Sequence, residues 1–386
     1  MGELIDGIDL DYHGDRAMVG AVPGGVLSGG LLSGGVLDLA VNVRSEPPPQ
    51  WLTEAVTAAC GRLAAYPDAT AATGALAHYH GRPPAQVLVT AGAAEAFMLI
   101  ARAVPVGTAV VVHPQFTEPE RALRIAGHRV LRHILRAEDG FRLDPATVPA
   151  DADIVVIGNP TNPTGVLHPA SDILALARPG RLLIVDEAFM DAVPGEPESL
   201  AGSPTGEASD IVVVRSLTKT WGLAGLRIGY LLGPSWLVDE CRVQQPPWSV
   251  STPALAAALA CASDRGAAEA HERACWLDQR RESLRAALAA IGCVGVPLSR
   301  GPFLLSWTPI GAGVTEGLLG QGIAVRRCDT FPGLGPDWFR VAVRGAAEHN
   351  ALIAALRELR CHAASRSVAT RPTSSAAGEC RPGDVV

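Results

Sequence analysis

The chain has 386 residues, of which 48% are hydrophobic, with 32 Lys+Arg against 39 Asp+Glu and a formal net charge of −7. That length supports two domains with a sizeable core, and the acidic balance without a basic run argues against nucleic acid. No apolar run reaches bilayer-spanning length without Gly, Pro or charge. The eight cysteines form no C-x-x-C pair, which disfavours zinc and disulfide frameworks and fits a reducing, cytoplasmic setting.

In chain order, residues 1–44 read as a Gly-rich N-terminal arm rather than a signal peptide, because "GAVPGGVLSGGLLSGGVLDLAV" lacks a basic start and a clean apolar core. Beyond "PPPQ" short apolar runs alternate with helical stretches. "QVLVT", "AVVVH", "DIVVIG", "RLLIVDE", "DIVVVRS" and "RIGYLLG" read as strands, near-continuous in apolar residues as expected where helices cover both faces of a sheet. "AEAFMLIARAV", "EPERALRIAG" and "PASDILALA" read as the intervening helices. The alternation predicts an α/β fold, a large domain over 45–245 built on a mostly parallel mixed sheet. A smaller α+β domain is expected over 246–365, with long helices, then "FLLSW", "IAVRRC" and "FRVAVRG", then a last helix. Residues 366–386 have tail composition and are expected to be disordered.

Lys219, in "VVVRSLTKTWGLAGLRIGYLLG", is the single lysine of the chain; the other 31 basic residues are arginine. Arginine carries charge equally well but cannot shed a proton near neutral pH, whereas a desolvated lysine becomes an amine that attacks a carbonyl carbon. An ordinary surface lysine is the bland alternative, weakened by small, apolar and hydroxylic neighbours. Four features surround this chemistry. After "QVLVT" a small-residue turn opens a helix, where the free N–H groups of Ala93 and Ala94 favour an anion such as phosphate. The rigid turn "GNPTNPTG" presents the Asn162 amide to a ligand oxygen, or is merely an Asx turn. Asp186, at the end of "LLIVD", is a buried acid that needs a cation or strong donor, or else caps the next turn. Ser216 and Thr218 offer hydroxyls beside Lys219, and Arg227 a guanidinium eight residues later, a phosphate-binding combination.

In order, spacing and residue type, these features resemble fold-type-I pyridoxal-phosphate enzymes, the aspartate-aminotransferase superfamily, over about residues 35–362. The resemblance implies the aspartate-aminotransferase-like fold, with pyridoxal 5′-phosphate as cofactor and Lys219 as its Schiff-base partner. It implies that Asp186 pairs with the pyridine nitrogen and Asn162 with the ring 3-hydroxyl. Ala93, Ala94, Ser216 and Arg227 would hold the phosphate, and Phe116 would stack on the ring. Tyr66 matches a tyrosine that reaches the phosphate of a neighbouring subunit, so a homodimer with shared sites is expected.

In such enzymes the groups gripping the substrate decide which α-carbon bond stands perpendicular to the conjugated ring, and so which bond breaks. "GIAVRRCDTFPGLGPDWFRVAVRG" supplies Arg326, Arg327, Arg340 and Arg344. The resemblance assigns Arg340 to the α-carboxylate and Arg326 to a distal phosphate. Strand alternation sends Arg326 and Arg327 to opposite faces and Arg340 and Arg344 to the same one, so Arg344 could join the site, with a solvated strand face as the bland alternative for Arg327 and Arg344. "DYHGD", "HPQFTEPE", "DEAFMD", "QQPPWSVSTPA" and "RRCDTFPGLGPDWFRVAVR" resemble the threonine-phosphate decarboxylase branch of cobalamin biosynthesis. That branch implies His13 near the substrate phosphate and a phenylalanine, Phe189, where aminotransferases place a tyrosine. Asn42 is kept, but the Asn-Pro-Leu-Gly run that usually follows is not. The expected reaction is decarboxylation of L-threonine O-3-phosphate to (R)-1-aminopropan-2-yl phosphate. The alternative is an aminotransferase of the histidinol-phosphate type. A non-catalytic effector-binding module is a third reading, disfavoured by the absence of a helix-turn-helix extension.

Overall fold

The computed structural model describes residues 4–5, 8–10, 35–202 and 210–369, with side chains to residue 361. Two short strands, β1 (Leu4–Ile5) and β2 (Ile8–Asp9), pair antiparallel. The strand β3 (Leu37–Asp38) follows. The large sheet then assembles from β4 (Val87–Thr90), β5 (Thr108–His113), β6 (Arg129–Ile134), β7 (Ile154–Gly158), β8 (Leu182–Asp186), β9 (Asp210–Ser216) and β10 (Gly229–Leu232). Its order is β4-β10-β9-β8-β7-β5-β6, and β10 alone runs against its neighbours.

Alternate residues of these strands feed two separate cores. Val110 and Val112 pack with Val155, Val185 and Val213 on one face, while Ala109 and Val111 pack with Val156, Ile184 and Val212 on the other. Both faces are therefore dry, as the unbroken apolar runs predicted. Six of the seven strands match the sequence reading. The seventh, β6, was not anticipated: "RVLRHI" is an edge strand of mixed polarity that carries no apolar run.

The second sheet is antiparallel, ordered β11 (Val294–Gly295), β12 (Phe303–Trp307), β15 (Trp338–Ala342) and β14 (Arg326–Arg327). The run "IAVRRC" is thus broken, because Ile323–Ala324 (β13) leaves this sheet to pair in parallel with β3. Leu37 and Leu39 pack into the same core as Leu304, Phe339 and Val341. Residues 37–42, expected within a free arm, therefore belong to the second layer. Likewise residues 366–369, expected as tail, continue the helix Ala346–Ala369, since no Gly or Pro interrupts "CHAASRSVA".

The strand ends define the site. Gly229, the first residue of the reversed strand, sits opposite both Thr90 and Ser216, and Gly158 sits opposite Asp186. The carboxyl ends of β4, β7, β8 and β9 thus share one rim, where an open α/β sheet places its ligands. Gly229 is required there: an added Cβ would lie 2.8 Å from the Arg215 carbonyl oxygen and 2.9 Å from the Ala93 nitrogen, both backbone atoms. Gly229→Ala should therefore destabilise the protein by about 1–3 kcal/mol. Gly225→Ala, where nothing lies within 4 Å, should have little effect. Urea unfolding of both variants checks this, and equal midpoints would contradict it.

Candidate active site

The anion cradle forms where β4 enters the helix Ala93–Ala103. Gly92 caps this helix with φ 82°, a conformation that suits glycine. A Cβ at Gly92 would lie 2.7 Å from the Arg227 Nη2, so the absent side chain is what lets the guanidinium approach the helix N-terminus. Glu95 holds the turn from behind, accepting from the Ala91 N–H at 2.5 Å and from Gln245 Nε2 at 3.3 Å. The N–H groups of Ala93 and Ala94, in the first turn, have no acceptor within the helix, as befits an anion site. Arg227 lies before β10 rather than within it, in the left-handed region at φ 55°. Ser216 is buried at the end of β9, across from Gly229. Four of the expected phosphate ligands are therefore on one rim.

Lys219 follows on a single helical turn, Thr218–Trp221, ended by Gly222 in the left-handed conformation. Its Nζ stands 5.8 Å from the centroid of the Phe189 ring. Asp186 is buried, and one carboxylate oxygen accepts from the Ala188 N–H at 3.0 Å. Burial raises its pKa to about 6, against the lowering effects of that N–H and of the Lys219 charge. A carboxylate so desolvated is stabilised by a cationic partner of the kind a protonated ring nitrogen provides.

The Asn162 turn is over-determined. Thr161 Oγ1 donates to the Gly158 carbonyl at 2.6 Å, and the Asn159 side chain clasps His168, accepting from its N–H at 2.8 Å. Gly165, at φ 72°, passes so close to Ser299 that a Cβ would meet its hydroxyl at 2.1 Å. Asn162 Oδ1 accepts from Arg340, which joins the two sheets across the site. Arg340 also donates to the Ala40 carbonyl at 2.7 Å, and Asn42, its amide oxygen turned toward the guanidinium, accepts at 3.1–3.2 Å. Burial, with the like charge of Arg326 beside it, pulls the Arg340 pKa down to about 9, leaving a cation at neutral pH. Arg326 is buried directly across the β14–β15 ladder from Arg340, with its guanidinium 4.8 Å from the Phe331 ring centroid. Arg327 is exposed on the opposite face. Arg344 is buried with Arg340 and donates to the next carbonyl, Val41, at 2.7 Å.

Phe116 lies beyond β5 in a turn fixed by a buried cluster. His113 and Glu120 meet at 2.8 Å, and Glu120 also binds Arg124 and Arg132. Behind Asp186 and Ser216 sits a second cluster that sequence reading missed. Their neighbours Glu187 and Arg215 point to the opposite sheet face and pair at 2.9 Å, joined by Glu196 and Asp191. The signal was available, since an acid and an arginine each interrupt a buried strand end at matching register.

Tyr66 is not part of this assembly. It is 77% exposed and stacks on Trp248 at 4.3 Å between centroids. His13 lies outside the described residues.

The chain matches the model of the family "Aminotransferase class I and II" over residues 34–357. It belongs to that family. Proteins of this family depend on pyridoxal 5′-phosphate. A relative named histidinol-phosphate aminotransferase in Mycobacterium tuberculosis is 44% identical over 350 residues, 90% of each chain. The threonine-phosphate decarboxylase of Salmonella typhimurium is 33% identical over 339 residues, 84% of this chain and 91% of the other. Among solved structures, the L-threonine-O-3-phosphate decarboxylase of Porphyromonas gingivalis superposes with a TM-score of 0.76 at 22% identity, over 84% of this chain and 99% of that one. The aspartate aminotransferase of Thermus thermophilus gives 0.74 at 24%, over 85% and 91%. These superpositions show the shared fold.

The residues fit the cofactor: the helix N–H groups and Arg227 would take its phosphate, Asp186 its ring nitrogen, Asn162 its 3-oxygen and Lys219 its aldehyde. Among the described residues no cluster of side chains suited to a metal occurs, and no helix is long and apolar enough to cross a membrane.

An acid held above its unfolded pKa binds more protons in the native state, so stability falls as pH rises through its titration. In cofactor-free protein, Asp186 should cost about 3 kcal/mol between about pH 4 and pH 6. Urea unfolding across this range should show that loss in the wild type and not in Asp186→Asn. Parallel curves would contradict the assignment.

Proposed function

We propose that this enzyme decarboxylates L-threonine O-3-phosphate, releasing carbon dioxide and (R)-1-aminopropan-2-yl phosphate. Pyridoxal phosphate, when bound, supplies an electron sink for the pair released as a bond at the α-carbon breaks. The chain's own residues choose the bond. Arg340 and Asn42 hold the α-carboxylate, with Arg326 adjoining, and set its angle to the ring plane. Once the carboxylate carbon leaves, the Lys219 Nζ is placed to return a proton to the α-carbon.

Phe189 carries this reading. It packs edge-on against Phe303 at 5.0 Å and lines the cavity beside Lys219. It offers no hydroxyl, whereas a tyrosine there would bond the ring 3-oxygen in the manner expected of aminotransferases. The 44% identity to a protein named histidinol-phosphate aminotransferase favours the second reading, in which Lys219 moves a proton between the α-carbon and the cofactor. We further take Tyr66 to serve the site of a second copy. It is exposed alongside Leu63 and Trp248, and a homodimer with shared sites would cover these residues.

Incubation of the purified enzyme with threonine phosphate should release carbon dioxide in step with substrate loss. Formation of a keto acid, or turnover of histidinol phosphate alone, would reject the decarboxylase. Lys219→Arg should abolish turnover and the cofactor's visible band, because a guanidinium cannot attack the aldehyde.

A further inference from the structure

The cavity around Lys219 is lined by Asn42, Arg44, Phe189, Arg273 and Arg344 among others, and its walls carry four cationic side chains and no acidic one. Two of these cations, Arg44 and Arg273, were not singled out by the sequence. Arg44 stands on the segment after Asn42, whose backbone is tied to the catalytic turn: its N–H donates to the Lys219 carbonyl at 3.0 Å. Arg273 projects from the long helix Asp264–Ala289 and lies over the Trp276 ring, 4.2 Å from its centroid.

Their acidic partners lie outside the cavity wall. Glu46 takes Arg273 with both oxygens at 3.1 and 3.2 Å, but reaches Arg44 only at 3.7 Å. Glu269 approaches Arg44 at 3.6 Å. Arg344 shares the wall, and its Nε, like that of Arg44, is buried without a hydrogen-bond partner among the described residues. Burial, followed by the neighbouring Arg44 charge against the Glu46 attraction, lowers the Arg273 pKa. Asp38 and Glu348 also attract Arg344, so the excess of positive charge is confined to the cavity wall itself, which three guanidiniums and the Lys219 amine line without a carboxylate. Crowded, partly desolvated arginines with spare donors suit a multiply charged oxyanion.

We propose that Arg44, Arg273 and Arg344 form a second oxyanion subsite, separate from the Arg326–Arg340 pair, that receives the phosphate monoester of the substrate in place of Arg326, to which the resemblance assigns a distal phosphate. This rests on the reading of a phosphorylated substrate and sharpens it. Threonine phosphate carries both a carboxylate and a phosphate, so it uses two anion subsites at once. Histidinol phosphate carries no carboxylate and leaves one of them unused.

The test uses enzyme loaded with pyridoxal phosphate, so that the cofactor's own phosphate fills the Ala93–Arg227 cradle. Inorganic phosphate is titrated against the cofactor's visible band in the wild type and in Arg44→Gln, Arg273→Gln, Arg44→Lys and Arg326→Gln. The glutamine variants at 44 and 273 should weaken phosphate binding about 10- to 100-fold. Arg44→Lys should recover most of that loss, and Arg326→Gln should lose less. KM for threonine phosphate should rise in parallel. Unchanged phosphate affinity in the variants at 44 and 273, or loss confined to Arg326→Gln, would overturn the subsite. If the wild type turns over neither phosphorylated substrate, the proposed reaction falls, while phosphate titration still reports on these arginines.

Discussion

The active site depends on the register of β10 against its two neighbours. This one reversed strand brings Gly229 beside Thr90 and Ser216 together, and Gly229 in turn presses on the backbone of Ala93 and Arg215. The close approach packs a helix N-terminus, a serine and Arg227 into one anion cradle. A one-residue slip would turn every side chain of the strand to the wrong face. On the parallel side the same rim continues through Asp186 and Gly158, so the residues that would meet the cofactor's phosphate, ring nitrogen and 3-oxygen lie at neighbouring strand ends or in the turns just beyond them.

The two sheets are coupled through residues 37–46. Their beginning pairs with the second layer, their middle accepts from Arg340 and Arg344, and Arg44 donates to the Lys219 carbonyl. Asp38 shapes the bend, accepting from the Ala40 and Val41 N–H groups at 2.9 and 3.1 Å. An anion reaching Arg340 therefore competes with a backbone carbonyl and two asparagines for the same guanidinium. Substrate binding and the position of this segment are linked through shared donors.

Much of this was legible in the sequence because dry strands and reactive side chains leave strong local marks. The near-continuous apolar runs ending in Thr90, Gly158, Asp186 and Ser216 announced both the sheet and its functional rim. A solitary lysine marked the candidate nucleophile. What stayed hidden was non-local. β6 escaped because an edge strand tolerates "RVLRHI". The break between Ala324 and Arg326 depends on β3, almost three hundred residues earlier. Arg44 and Arg273 carry no local mark in the sequence, and only the fold brings Arg44, two residues after Asn42, a residue inside a long helix and Arg344 to one cavity. Glu187 and Arg215 were similarly overshadowed by Asp186 and Ser216, although their buried pair fixes the strand ends from behind. Breaking such a pair by removing one partner costs about 3–5 kcal/mol.

Every role proposed above requires the single lysine, Lys219, to be the covalent anchor of the cofactor. The most direct measurement is borohydride reduction of the purified, cofactor-loaded protein, followed by peptide mass mapping. A pyridoxyl-phosphate mass is expected on the peptide containing Lys219, together with loss of the visible band. A polypeptide that stays colourless with the cofactor and gains no mass on reduction would contradict this role of Lys219.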